Sequence, residues 1–140
     1  MKTRTLLKVI AAVELLTGLG LLLAPSLVAE LLLGLPLGPG APLVVGRVAG
    51  LALVAIGLIC GLENMRDCGA SPTGLLVGLL AYNGAVPLLL IHSCVTNGTS
   101  GIGLWPTVAL HLAFTFFIAT CLRSNSAGRE HSAPSQAVEK

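Results

Sequence analysis

Four long apolar runs, separated by short polar or proline- and glycine-rich breaks, dominate the chain. The first follows a basic start (Lys2, Arg4, Lys8), covers about 5–23 and from Val9 onward is interrupted only by Glu14 and Thr17. The second, 43–62, holds a single ionisable side chain, Arg47. The third, 73–92, contains Asn83 and Pro87, and the fourth, 104–122, opens on Trp105-Pro106 and contains His111. Runs of about 20 apolar residues, rising ~1.5 Å each as helix, cross a hydrocarbon layer of roughly 30 Å. The pattern therefore predicts an all-α, four-helix integral membrane bundle. Trp105 stands where an interfacial aromatic anchor is expected, and Pro106 is tolerated in a first helical turn.

Between the spans the chemistry changes. Pro25 interrupts the first helix, because it lacks an N–H and clashes with the preceding turn. The apolar stretch after it, with Glu30 its one charge, is too short to span alone. It reads as a continuation beyond a kink or as a segment lying at the surface. Residues 37–42, LGPGAP, are loop chemistry, as are the polar turn 63–72 with Arg66 and Asp67 and the uncharged loop 93–103. From Arg123 the chain is polar, small and aperiodic, so 123–140 reads as a disordered tail. The basic start and the small residues Ala24 and Ala29 also fit a secretory signal peptide, although a carboxylate inside its apolar region is unusual.

Composition and charge sharpen this picture. Of 140 residues, 54% are hydrophobic and only 10% are charged, against about a quarter in soluble domains. A net charge of +2 from scattered basic residues gives no footprint for nucleic acid. Counted by loop, Lys2, Arg4, Lys8, Arg66, Arg123, Arg129 and Lys140 fall on one side of a four-span topology, and the opposite loops carry no Lys or Arg. The positive-inside rule then places both termini in the cytoplasm, with the chain multi-pass in a cell inner membrane.

Each span carries one marked polar residue: Glu14, Arg47, Asn83 and His111. By the rise per residue, Glu14, Asn83 and His111 share the middle of the bilayer, while Arg47 lies about 6 Å from the outer end. Polar groups at that depth form functional sites or hold the register of a bundle. One reading is a proton- or ligand-binding site, with Glu14 taking a proton or a cation and His111 as its titrating partner. The other is a hydrogen-bonded Glu14–Asn83–His111 cluster that only fixes register. Arg47 fits an ion pair with Glu30 or Glu14, or an anchor on headgroup phosphate.

Glycines mark the packing surfaces. Gly46, Gly50, Gly57 and Gly61 fall within a sector about 60° wide on one helix, and Gly74 and Gly78 repeat the small-xxx-small spacing on the next. Such faces fit close approach by another helix, another copy of the chain or a different membrane protein. Cofactor and metal chemistry find no support. The four cysteines make no C-x-x-C, Cys94 stands alone in an outer loop, and His92 with Cys94 gives two ligands without a third. No nucleophile triad, phosphate loop or haem-binding histidine pair occurs, so no catalytic residue is assigned and the chain reads as non-enzymatic.

Arg47-x-x-Gly50 with Gly57 in the second helix, Ala81-Tyr82-Asn83 in the third, and Trp105 with His111 in the fourth resemble the small bacterial four-helix proteins of the DoxX-like group, over about 8–122. The resemblance implies a four-helix membrane protein, sometimes a companion of membrane redox enzymes, and carries over no catalytic residue. The intramembrane glutamate of Ala11-Ala12-Val13-Glu14 is also similar to that of small multidrug resistance transporters. Arg47 departs from them by repelling cationic substrates, and one Trp and one Tyr are few for an aromatic cation site. Three functions follow as expectations: a packing or accessory subunit of a membrane assembly, a small proton-coupled transporter using Glu14 and His111, or an accessory of an electron-transfer enzyme.

Overall fold

A computed structural model describes residues 3–65 and 72–131, with side chains through Ser124. They form five helices: α1 (Thr3–Leu23), α2 (Pro25–Leu33), α3 (Ala41–Met65), α4 (Thr73–Asn97) and α5 (Leu104–His131). Four of these, α1, α3, α4 and α5 as far as Ser124, are long and apolar enough to cross a membrane. The polarity of the bundle agrees with that. Leu16, Leu89 and Phe116 are 73%, 67% and 65% exposed, while Glu14, Asn83 and His111 are at most 7% exposed. Water as the outer solvent would favour the reverse arrangement.

Two antiparallel pairs build the bundle. In the first, α1 and α3 touch backbone to backbone. A Cβ at Gly50 would lie 2.7 Å from the Gly18 carbonyl oxygen, and one at Gly18 would lie 2.8 Å from that of Gly50. Farther along, a Cβ at Gly57 would meet Leu15 Cγ at 2.8 Å and Ala11 O at 3.0 Å. The glycine groove of α3 is therefore filled by α1 of the same chain. Association in lipid rests on such packing, because the tails are as apolar as the helices. Gly46 meets Leu37 and Pro25, and Gly61 only reaches Ala11 Cβ at 4.0 Å. Gly74 and Gly78 differ, since nothing among the described residues lies within 4 Å of a Cβ added there. Among the described residues they make no such close approach; with Ile56 and Ile59 of α3 they border a cleft of about 350 Å³.

The second pair is α4 with α5. The two pairs join at the end that carries the N-terminus, where Leu6, Leu7 and Ile10 of α1 pack with Leu76 and Leu79 of α4, Phe114, Ile118 and Cys121 of α5, and Cys60 of α3. At the opposite end the short helix α2 lies between the pairs. The segment after α1 is a separate helix, broken from it at Ala24 (φ −139°, ψ 60°) with Pro25 opening the first turn. Gly34, at φ 78°, ends α2 in the left-handed conformation, and its N–H bonds to Glu30 O. Loop 98–103 docks on this end: Gly101 N–H donates to Leu32 O at 3.2 Å and Gly103 N–H to Leu31 O at 2.7 Å. These bonds satisfy carbonyls that the end of a helix leaves open.

Two boundaries differ from expectation. The third span continues past 92 to Asn97, so only 98–103 remains of the loop expected over 93–103. The Thr96 hydroxyl turns back on its own helix, donating to His92 O at 2.8 Å, and Gly98 (φ 66°) supplies the stop. The tail expected to be disordered from Arg123 continues as helix to His131. Arg66, Asp67 and Cys68 of the polar turn, Lys2, and the tail from 132 lie outside the described residues.

Candidate functional site

Three of the four intramembrane polar residues come together midway along the bundle. Asn83 of α4 is fully buried, and its Nδ2 donates to Leu79 O, one turn back on its own helix, at 2.9 Å. Its Oδ1 lies 2.8 Å from His111 Nδ1 across the α4–α5 seam. Pro87, one turn farther along α4, lacks the N–H that would otherwise bond to the Asn83 carbonyl. On α5, the Thr115 hydroxyl donates to His111 O at 2.8 Å.

Glu14 faces this pair from α1. It is 2% exposed; its Oε2 accepts a 3.4 Å hydrogen bond from the Tyr82 hydroxyl, and its Oε1 has no partner. The Tyr82 ring packs edge to face on the His111 imidazole, with centroids 5.7 Å apart and planes at 82°. Tyr82 thus links the carboxyl group to the imidazole, a role that reading the sequence missed. Its signals were its place as the chain's one tyrosine, in mid-span, beside Asn83.

Arg47 is not part of the cluster. It is exposed on the outer surface of α3, and neither it nor Glu30 makes an ion pair among the described residues. The pairing expected with Glu30 or Glu14 is therefore not formed. Free cysteines lie at both ends, Cys60 and Cys121 buried in the core and Cys94 half-buried in the last turn of α4. No group of three or more metal-ligating side chains occurs among the described residues.

Two clefts open onto the cluster beneath α2. The larger, about 600 Å³, runs between α3 and α4, with Leu53, Val86 and Leu90 among its walls. The smaller, about 380 Å³, passes Val13, Glu14 and Leu110. They share Thr17, Val28, Leu32, Tyr82, Thr107 and His111, while Glu14 borders only the smaller. Arg47 borders neither. Apolar walls with a few convergent polar groups are the usual make-up of a small-molecule site. No family model, curated protein or solved structure matches the chain.

Proposed function

We propose that this chain is a non-enzymatic, multi-pass protein of a bacterial inner membrane that holds a lipid-soluble molecule beside Glu14, Tyr82 and His111. One observation carries the reading: the cleft lined by Glu14 meets a larger apolar cleft at Tyr82 and His111, and the second oxygen of that buried carboxyl group is left without a partner. An unpaired buried polar atom is costly, and a bound molecule that supplies the missing hydrogen bond offsets that cost. What the described residues offer there is hydrogen-bond partners set in apolar walls. Such a protein serves as a binding or companion subunit, in keeping with the resemblance to the DoxX-like group. A second copy or another membrane protein takes the α4 face at Gly74 and Gly78, since α1 already fills the α3 groove.

The orientation belongs to the same proposal. Arg4, Lys8 and Arg123 share one end of the bundle, and 24–42 and 93–103 at the other end contain no Lys or Arg. Both termini are then cytoplasmic and the clefts lie in the outer half of the bilayer. A second reading, proton-coupled transport, is favoured by the placing of two exchangeable groups, Glu14 and His111, on one cleft.

The test is reagent access. Dicyclohexylcarbodiimide, an apolar reagent for carboxyl groups, is expected to modify Glu14 in membranes, and a water-soluble carbodiimide is not. Thr107→Trp, which fills the region common to both clefts, is expected to slow the modification about tenfold. Equal reaction with both reagents, or no effect of Thr107→Trp, contradicts an apolar route to Glu14.

A further inference from the structure

Hydrogen-bond directions within the cluster determine which atoms remain for a ligand. Asn83 Nδ2 donates to Leu79 O, so Oδ1 is the atom that faces His111, and His111 Nδ1 must carry the proton between them. In that tautomer Nε2 is an acceptor, and no described residue donates to it. Glu14 Oε2 accepts from Tyr82, while Oε1 has no partner; when the group is ionised, Oε1 is an acceptor as well. Both unengaged atoms therefore call for a donor. The described linings bring few: Lys, Arg, Asn, Gln and Trp are absent from both clefts, and the donors there are the hydroxyls of Tyr82, already given to Glu14, and of Thr17 and Thr107.

Resting on the binding reading above, we propose that the site selects a compact apolar molecule whose head group donates hydrogen bonds, an amine or an alcohol, over one whose head only accepts them. The head sits at Glu14 and His111, and the body occupies the cleft under Val28 and Leu32 of α2. A carbonyl or ether head would set one acceptor against another and leave Glu14 Oε1 unpaired. Arg47, which from sequence alone argued against a cationic ligand, lies outside both clefts and does not oppose an ammonium head.

Three probes that share one rigid skeleton test this: 1-adamantylamine, 1-adamantanol and 2-adamantanone, tritiated and measured against the full chain in nanodiscs, with empty nanodiscs subtracted. The amine and the alcohol are expected to bind about tenfold or more tightly than the ketone, the ratio that one hydrogen bond to a charged group provides. Glu14→Gln puts an amide NH₂ in place of a carboxylate oxygen, and it is expected to reduce that preference to about twofold or less while ketone binding persists. Equal affinity of the three probes for the wild-type protein, or tighter ketone binding, overturns the donor-head proposal and leaves the cleft-binding reading standing. A preference undiminished in Glu14→Gln overturns it as well. Failure of all three probes to bind overturns both.

Discussion

The backbone-to-backbone seam between α1 and α3 gives the most quantitative prediction. In Gly50→Ala the new Cβ would sit 2.7 Å from Gly18 O, 2.9 Å from Leu22 N and 3.0 Å from Leu21 Cβ, where ordinary contact begins at 3.4 Å. Two of the three neighbours are backbone atoms of an intact helix, so no rotamer change relieves the overlap. Instead α1 and α3 must separate by about 0.5–1 Å, which forfeits a quarter to a half of the dispersion energy of the contacts along the seam. Overpacking of this kind costs ~1–3 kcal/mol, and the higher helix propensity of alanine returns at most about 1 kcal/mol. With a mid-range cost of about 2 kcal/mol and the full return of alanine, the net loss is about 1 kcal/mol, roughly a fivefold change in the folding equilibrium. Gly78→Ala is the matched control, since its Cβ meets nothing within 4 Å and only the propensity gain remains. Reversible unfolding in bicelles, driven by steric trapping, measures both. Gly50→Ala as stable as wild type, or Gly78→Ala as damaging as Gly50→Ala, refutes the assignment of the α1–α3 seam.

The other predictions concern orientation and transport. In a Cys94→Ser background, Ser100→Cys in the α4–α5 loop is expected to react with a membrane-impermeant maleimide from outside intact spheroplasts. Ser124→Cys on α5 is expected to react only after permeabilisation, and the opposite pattern reverses the topology. For the transport reading, pyranine-loaded proteoliposomes are expected to lose an imposed pH gradient faster than empty ones, with Glu14→Gln slowing the loss at least tenfold. Gradient decay unaffected by Glu14→Gln removes Glu14 from any proton movement.

The four spans could be read from the sequence because lipid selects composition over some 20 residues at a time, and composition survives errors at the ends. Boundaries were less legible. Ser93 and Thr96 look like loop residues, but the Thr96 hydroxyl bonds back within the helix, that of Ser93 pairs with Thr99 just beyond it, and it is Gly98 that stops α4. Glycine spacing has a similar limit. Gly50 and Gly57 on α3 and Gly74 and Gly78 on α4 both form narrow small-residue faces, yet one is filled by α1 and the other is open. Spacing predicts a groove; the partner depends on the arrangement of the other helices. Depth alone brought Glu14, Asn83 and His111 together, since helices of known length fix height in the bilayer. The link from Tyr82 to Glu14 was not legible, because only the arrangement of α1 against α4 places its hydroxyl there.

The most direct measurement is native mass spectrometry of the full chain, released from nanodiscs made with its own membrane lipids, beside Thr107→Trp treated identically. Wild-type protein is expected to carry one bound apolar molecule per chain that organic solvent removes, and Thr107→Trp to carry none. A wild-type chain that emerges bare, or the same bound mass on both proteins, contradicts a ligand held in the clefts at Glu14.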